Sequence, residues 1–363
     1  MSETYETKTA MVELTNVSRF FGEVKAVCDL SFAIQEGEFF SLLGPSGCGK
    51  TTTLRLIAGL ERPNWGMVII NQKVVANEKV WVAPEKRGIG IVFQDYALFP
   101  HMTVYQNIAF GLNGFSREEI RKRVIHILEV VGLAGLGERY PHELSGGQCQ
   151  RVALARSLAP SPKVILLDEP FSNLDADLRE ELRTETKRIL KENGTTAILV
   201  THDQEEAFSL SDRVGVLNQG KLEQIGTPAE IYHLPSSRFV ADFVGKADFI
   251  AGVVDKGVIH SEICMFPTSC DKIIDKRIVA GEVDLMIRPD DVDFILDSDG
   301  NATIIESRFL GGSIIYKLHL SNGIIIHSLK PSTKVIPPGT KVRISVDTAH
   351  VVVFPGTIRK IRS

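Results

Sequence analysis

The sequence has little of three things: long apolar runs, paired cysteines and excess positive charge. No apolar run approaches the ~18 residues that a membrane-spanning helix needs, so any membrane role would pass through a partner protein. The five scattered cysteines form no Cys-x-x-Cys pair, and no secretory-type apolar segment follows the first residues. We therefore expect a reducing, cytosolic compartment and no zinc site. The formal net charge of −4 provides no basic field, so nucleic acid is not expected as the main partner.

Two kinds of pattern divide the 363 residues. Residues 1–10 are polar and are expected to form a flexible N-terminus. Over residues 11–245, strand-like and helix-like segments alternate, which is typical of an α/β fold. Over residues 246–363, short β-rich segments are separated by Gly, Pro, Asn and Asp, which indicates a small all-β barrel or sandwich.

The stretch Gly-Pro-Ser-Gly-Cys-Gly-Lys-Thr at 44–51 lies between a predicted strand and a predicted helix. Its spacing predicts a phosphate-binding loop, in which glycines let backbone N–H groups approach anionic oxygens. Lys50 can reach the β- and γ-phosphates, and the Thr51 hydroxyl suits Mg²⁺. An ordinary glycine-rich turn is the alternative, which the strand–loop–helix setting disfavours. The predicted binding residues are Gly44, Pro45, Ser46, Gly47, Cys48, Gly49, Lys50, Thr51 and Thr52.

An acidic pair follows the apolar run at 164–167, which predicts a buried strand. Ligands of open α/β sheets bind at the carboxyl ends of strands, where Asp168 and Glu169 would lie. Asp168 would hold Mg²⁺ through its water shell, and Glu169 would polarise the attacking water. The alternative is an acidic strand end without a function. The phosphate-binding loop earlier in the chain favours nucleotide hydrolysis.

A second anion site is predicted at Leu-Ser-Gly-Gly-Gln, residues 144–148, directly before a helix pattern. There Ser145, Gly146 and Gly147 would present a hydroxyl and bare N–H groups at a helix N-terminus. The alternative is a simple N-cap by Ser145. Sequence spacing leaves open whether this site meets the phosphate loop within one chain or between two.

Together these motifs resemble those of the ATP-binding cassette (ABC) transporter ATPases. The matching segments, in the family's order, are Phe21, 44–51, Gln94, 144–148, 164–170, 172–175 and His202. The resemblance covers about 11–245 and implies a P-loop NTPase domain with a helical subdomain that hydrolyses ATP with Mg²⁺. It also implies a head-to-tail homodimer, in which ATP lies between the phosphate loop of one chain and Ser145, Gly146, Gly147 and Gln148 of the other.

The resemblance implies roles for four more residues. Phe21 would stack on adenine, and Gln94 would contact Mg²⁺ and the attacking water. Asp175 would lie on the dimer contact, and His202 would hold the γ-phosphate. Phe21 stands where many relatives have tyrosine and Cys149 where glutamine is common, and neither departure changes the expected activity. The expected catalytic residues are thus Glu169, His202 and Gln94, and the expected metal ligands are Thr51, Gln94 and Asp168.

Two further segments resemble parts of importer ATPases. The apolar and aromatic residues 94–104 match a groove that receives a cytoplasmic helix of a membrane permease, although ordinary core is the alternative. Residues 286–291 and 309–312 resemble the OB-like (TOBE) domain of importer ATPases. Oligonucleotide binding is the alternative for such a barrel, but the sequence has no basic and aromatic face to support it.

The resemblance therefore implies an import motor at the cytoplasmic face of the inner membrane, which acts with a permease and indirectly with an extracytoplasmic solute-binding protein. Residues 243–250 and 352–355 are similar to ferric-iron importers, and 38–43 to polyamine importers. We expect ferric iron as the cargo, with spermidine or putrescine second and sugar or sulfate as lesser alternatives. An ABC ATPase that acts on nucleic acid or ribosomes is the alternative from a different class. Such proteins usually carry two cassettes or a basic arm, and this chain has one of each motif.

Overall fold

The computed structural model describes residues 9–268 and 280–356. Internal contacts divide the chain into two compact units, Met1–Pro228 and Ala229–Ser363. This division lies earlier than residue 245, where the sequence pattern predicted a boundary. In the described part of the chain, no helix is long and apolar enough to cross a membrane.

The first unit has two sheets. Its elements in chain order are β1 (Ala10–Phe21), β2 (Val24–Gln35), β3 (Phe39–Leu43), α1 (Lys50–Ala58), β4 (Trp65–Ile70), β5 (Lys73–Ala76), β6 (Ile89–Val92), α2 (Val104–Ala109), α3 (Arg117–Val130), α4 (Gly146–Leu158), β7 (Val164–Asp168), α5 (Ala176–Glu192), β8 (Thr196–Thr201), α6 (Gln204–Leu210), β9 (Arg213–Asn218) and β10 (Lys221–Gly226). One sheet has the order β2-β1-β4-β5 and the other β10-β9-β3-β8-β7-β6. In the second sheet all pairs are parallel except β9 with β10.

The parallel sheet is buried on both faces, as its continuous apolar strands require. In β7, Ile165 and Leu167 pack into a core with α2 to α5, whereas Val164 and Leu166 pack into a core with α1, β1 and β4. Strands β3, β6, β7 and β8 run parallel, so their carboxyl ends meet at one edge of the sheet. The loops that follow these strands carry most of the predicted site residues.

The second unit is rich in strands. Its elements are α7 (Pro228–His233), α8 (Arg238–Phe243), β11 (Asp248–Asp255), β12 (Val258–Ser261), β13 (Met265–Pro267), β14 (Gly281–Ile287), β15 (Val292–Leu296), β16 (Ala302–Phe309), β17 (Ser313–Leu320), β18 (Ile325–Pro331), β19 (Lys341–Val346) and β20 (Val352–Pro355). They form two five-stranded sheets, β13-β12-β11-β14-β20 and β15-β19-β16-β17-β18, around one apolar core that includes Leu285 and Tyr316. The predicted succession of an α/β unit and a β-rich unit is confirmed.

Arg288 connects the helical residues after 228 to the strands of the second unit. Its buried guanidinium donates hydrogen bonds to the carbonyl oxygens of Ala241 and Gly245, both at 2.9 Å. It also bonds the carbonyls of Lys246 at 3.2 Å and Tyr232 at 3.0 Å. Burial lowers the pKa of Arg288, and the ring of Tyr232 lies 4.3 Å from the guanidinium carbon. The helices α7 and α8 are thus anchored to the end of β14.

We predict that Arg288→Met destabilises the second unit by about 3 kcal/mol, because it removes the donor from several carbonyls. Hydrogen exchange of the β11 and β14 amides measures this loss without reference to the first unit, and roughly 100-fold faster exchange is expected. The exposed Arg308, on β16, provides the control Arg308→Met, which should leave exchange unchanged. Equal exchange in the two variants would contradict the anchoring role of Arg288.

Candidate active site

The predicted phosphate loop connects β3 to α1 and is shaped by two glycines. Gly47 has φ 78° and Gly49 has φ 104°, a conformation that residues with a Cβ rarely adopt. A Cβ on Gly49 would also lie 2.2 Å from the carbonyl oxygen of Ala26. By contrast, a Cβ on Gly47 would meet nothing within 4 Å. The loop is therefore packed tightly at its base and faces open space at its middle, as a cradle for an anion requires.

Lys50, the first residue of α1, places a cation in this loop. Its side chain is buried, and Nζ donates hydrogen bonds to the carbonyl oxygens of Gly44 at 2.7 Å and Pro45 at 3.0 Å. Nζ lies 3.9 Å from Sγ of Cys48, whose pKa is raised by burial. Within residues 9–268 and 280–356, no carboxylate forms an ion pair with Lys50. Its charge is thus available to an anion in the loop.

Thr51 and Asp168 bring two oxygens together beside the loop. The Thr51 hydroxyl donates to Oδ1 of Asp168 at 3.3 Å. Burial raises the pKa of Asp168, and the neighbouring charge of Glu169 raises it further. The hydrogen bond from Thr51 and the charges of Arg55 and Lys50 oppose this shift. Burial therefore disfavours the ionised form of this carboxylate, in a place where a cation would stabilise it.

Glu169 leaves β7 in an unusual backbone conformation. Its φ is 45°, which is uncommon for a residue with a side chain and is often found at functional sites. The backbone N–H of Glu169 donates to the carbonyl of Val200 at 2.9 Å, which holds this conformation. Its Oε2 lies 3.2 Å from Nδ1 of His202. The predicted general base and the predicted phosphate-contacting histidine therefore contact each other.

Gln94 lies two residues beyond the end of β6, at the same edge of the sheet. Its backbone carbonyl accepts a hydrogen bond from the side-chain amide of Asn173 at 3.0 Å. The hydroxyl of Ser172 in turn donates to the carbonyl of Glu169 at 3.0 Å. The segment at 172–175 thus connects the loop after β6 to Glu169. The sequence marked this segment as a motif but gave a role only to its last residue, Asp175.

A buried cluster behind His202 was not found from the sequence. Arg183 of α5 donates to Asp203 at 2.9 Å and to Glu206 at 3.1 Å. The hydroxyl of Thr201 donates to the other oxygen of Glu206 at 2.6 Å and accepts from the backbone N–H of Asp203 at 3.0 Å. These bonds fix the turn from β8 to α6 on both sides of His202. The only signal in the sequence is the place of Arg183 on the apolar face of α5.

The segment at 144–148 is held by its own helix end and by α5. The hydroxyl of Ser145 accepts from the Gln148 N–H at 3.3 Å, and the Gln148 side chain accepts from the Ser145 N–H at 3.0 Å. Within one chain Ser145 is therefore an N-cap. A Cβ on Gly147 would lie 3.0 Å from the side chain of Leu178. Asp175 caps α5 by accepting from the N–H of the same leucine, Leu178, at 3.0 Å.

The predicted residues thus form two groups. Lys50, Thr51, Asp168, Glu169 and His202 are linked through contacts at one sheet edge. In the two described ranges, no hydrogen bond joins residues 145–148 to the loop at 44–52. Phe21 lies at the end of β1, 43% exposed, with the guanidinium carbon of Arg19 4.5 Å from its ring centroid. Its exposed ring is free to stack on a flat ligand.

An apolar cavity of about 410 Å³ lies beside the segment that follows Gln94. Its lining includes Phe93, Phe99, Phe110 and Arg156. The guanidinium of Arg156 donates to the carbonyl of Ala97 at 2.6 Å, and burial lowers its pKa. The cavity therefore combines aromatic walls with the half-buried cation of Arg156. We call it the aromatic groove.

Models of two known families match the sequence. The model described as ABC transporter matches residues 27–172. The model described as TOBE domain matches residues 285–354. The first match contains the phosphate loop, the 144–148 segment and the acidic pair, and the second lies within the strand-rich unit.

Curated relatives are similar to the chain over most of its length. The spermidine/putrescine import ATP-binding protein PotA of Rubrobacter xylanophilus is 42% identical over 97% of this chain and 95% of its own. The Fe(3+) ions import ATP-binding protein FbpC of Rhizobium etli is 41% identical over 95% of this chain and 98% of its own. The trehalose/maltose import ATP-binding protein MalK of Thermococcus litoralis is 47% identical over 78% of this chain and 79% of its own. Sequence identity therefore does not separate the solutes named for these relatives.

Solved ATP-binding cassettes have the fold of the first unit. A dimeric cassette in a post-hydrolysis state bound to ADP and Pi is 36% identical, with a TM-score of 0.53, and covers 60% of this chain and 99% of its own. A cassette from an ABC transporter in its ADP conformation is 27% identical, with a TM-score of 0.58, and covers 65% of this chain and 98% of its own.

We predict that Asp168→Asn stabilises the protein in the absence of ligands by about 0.5–2 kcal/mol, the usual range of single stabilising substitutions. The reason is the raised pKa of Asp168, which shows that folding penalises its charged form. The penalty is present above the raised pKa and disappears as the pH falls through it towards the value of the unfolded chain. The measurement is thermal unfolding of both proteins from neutral to acidic pH. A gain that does not shrink at acidic pH would contradict this explanation.

Proposed function

This chain belongs to the ABC transporter ATPases with a C-terminal TOBE domain that power import, and we propose that it drives uptake of a cationic solute. The observation that carries the ATPase assignment is the meeting of Lys50, Asp168, Glu169 and His202 at one sheet edge. This arrangement provides a cation for phosphates, a carboxylate for a metal ion and a base for water, which are the parts that phosphoryl transfer needs.

We propose that ATP and Mg²⁺ bind at the phosphate loop. The open cradle around Gly47 and the unpaired charge of Lys50 fit the β- and γ-phosphates. The paired oxygens of Thr51 and Asp168 are the hard donors that Mg²⁺ prefers, and Gln94 would complete this set. When bound, the metal ion neutralises charge on the phosphate oxygens. The same positive charge would lower the raised pKa of Asp168.

We propose that Glu169 orients the attacking water and accepts its proton. The contact with His202 at 3.2 Å would restrict the rotamers of the carboxylate, and the imidazole would then lie beside the γ-phosphate. The Thr201–Glu206–Arg183 cluster keeps the turn that carries His202 in place. A base held in this way needs little reorganisation when the reaction begins.

A second copy of the chain would complete the site. Residues 145–148 offer helix N–H groups, yet lie in a group apart from the phosphate loop, and the similar post-hydrolysis cassette is a dimer. In a head-to-tail pair, Ser145, Gly146, Gly147 and Gln148 would face the γ-phosphate bound by the partner. Asp175, which caps α5 beside them, would lie on the same contact, and Phe21 would stack on adenine.

The aromatic groove is the proposed docking site for a permease. A cavity with walls formed by Phe93, Phe99 and Phe110 suits the apolar face of a short helix. The groove includes Phe93, which directly precedes Gln94, so a movement of this glutamine would reach a docked helix. The chain would then act at the cytoplasmic face of the membrane and depend on an external solute-binding protein for its cargo.

The proposed cargo is ferric iron, with polyamine as an equally supported candidate. Relatives named for each of these solutes match this chain over 95% or more of its length, with similar identity. Both solutes are cations, whereas the relative named for a sugar matches a smaller share. The ATPase does not contact the cargo, so its own site does not distinguish between them.

We predict that Glu169→Gln binds ATP, loses more than 100-fold in turnover and accumulates as a dimer, because the base is lost while the binding residues remain. ATPase assays and size-exclusion chromatography with ATP measure these effects. Glu180→Gln, an exposed position on α5, is the control and should hydrolyse ATP normally. A Glu169→Gln protein that stays monomeric with ATP would exclude the two-chain site.

We predict that cells whose only copy carries Glu169→Gln lose uptake of labelled ferric iron, because transport requires hydrolysis. Labelled spermidine is measured in parallel, with Glu180→Gln cells as the control. Loss of spermidine uptake alone would establish the polyamine alternative. If neither uptake changes, both cargo proposals are wrong, and ribosomes among the co-purifying partners would support the alternative class.

A further inference from the structure

A polar cavity of about 330 Å³ lies in the first unit, away from the proposed ATP site. It is bordered by α3, by the connection from α4 to β7 and by the turn from α5 to β8. We propose that this cavity binds a small molecule with a dianionic phosphate group, with Arg123 and Lys163 as the binding cations. The proposal does not depend on the function proposed above.

The fold separates this cavity from the phosphate loop. Lys163 directly precedes β7, and Thr195 directly precedes β8. Both residues therefore lie at the amino ends of parallel strands, whereas Asp168 and His202 lie at the carboxyl ends. Ligands in the two places would sit at opposite edges of the same sheet.

Positive charge dominates the cavity. Its described lining contains Arg123 and Lys163, the titratable His126 and no carboxylate. Lys163 forms no ion pair among the residues that the structure describes. Glu192, which directly precedes the lining residue Asn193, pairs with Arg188 at 2.7 Å. The charge of these two cations, with no carboxylate in the described lining, is equal and opposite to that of a phosphate monoester, which carries about two negative charges at neutral pH.

Hydrogen-bond donors accompany these charges. Arg123 is oriented by bonds to the carbonyl of Ala159 and to the hydroxyl of Ser161. Since Ser161 accepts this bond, its own proton can be donated to a ligand. The buried Thr195 contributes a second hydroxyl to the lining. A guanidinium with neighbouring hydroxyls is a common arrangement for binding phosphate oxygens.

The size of the cavity limits the ligand. A volume of about 330 Å³ is near the lower end for small-molecule sites, which span roughly 300–1,000 Å³. Inorganic phosphate or a short phosphate ester fits this range. Pro160 lines the aromatic groove and Ser161 lines the cavity, so one short connection borders both. A bound anion would therefore restrain the edge of the groove.

The test is a calorimetric titration of the full chain with inorganic phosphate and with glycerol 3-phosphate. The protein is first saturated with a non-hydrolysable ATP analogue and Mg²⁺, so that the phosphate loop is filled. We expect saturable binding that weakens at least tenfold in Lys163→Gln. Lys122→Gln is the matched control, because Lys122 pairs with Glu118 on the exposed face of α3 and should leave binding unchanged.

Three results would overturn the proposal. They are the absence of saturable binding to the wild-type chain, equal affinity in Lys163→Gln and wild type, and loss of the signal in Lys50→Ala, which would place it at the phosphate loop. Vesicles containing phosphatidylglycerol provide a further arm. Binding to these vesicles without binding to either small phosphate would assign the cations to a membrane surface instead. A shift of the His126 imidazole signals on phosphate addition, absent in Lys163→Gln, would support the proposal independently of heat.

Discussion

Parallel hydrogen bonding between β7 and β8 is the constraint on which the active site depends. The register pairs Asp168 with Val200, and the N–H of Glu169 bonds the carbonyl of the same valine. The acidic pair and His202 therefore leave the sheet at the same edge, with His202 two residues beyond the partner of Asp168. Because side chains alternate between faces, a slip of one residue would direct Asp168 away from Thr51. The side chains of both strands pack against different elements on the two faces, and a slip would disrupt this packing.

The site keeps charges that the protein itself does not neutralise. Lys50 is hydrogen-bonded to carbonyl oxygens rather than to an acid, and Asp168 has a raised pKa. Burial makes the charged form of Asp168 unfavourable, and a cation beside it would offset this effect. Such local frustration is expected where binding, rather than folding, selects the residues. By contrast, the buried Arg183 is paired with Asp203 and Glu206, and these ion pairs support the turn beside it.

Motifs of adjacent residues predicted much of this structure. The features that the sequence did not predict depend on contacts between residues far apart along the chain. The phosphate loop and the acidic strand end depend on residues adjacent in sequence, so spacing was enough to find them. The hydrogen bond from Asn173 to Gln94 joins residues 79 positions apart, and no sequence motif predicts it. Arg183 sits among residues that read as an ordinary amphipathic helix. The bonds that join residues 241–246 to the second unit come from Arg288, which lies far along the chain from the carbonyls it binds.

The hydrogen bonds of Arg288 also limit where such chains can recombine during evolution. A recombination point at 245 would join α8 from one parent to an arginine from another, and the carbonyl geometry at residues 241–246 would have to match. A junction at 228 transfers the helices, the arginine and the strands as one inherited block. Gene fusions that respect this earlier junction would retain a stable accessory unit. We therefore expect residues 229–245 to be inherited together with the strand-rich unit when such units recombine between transporters.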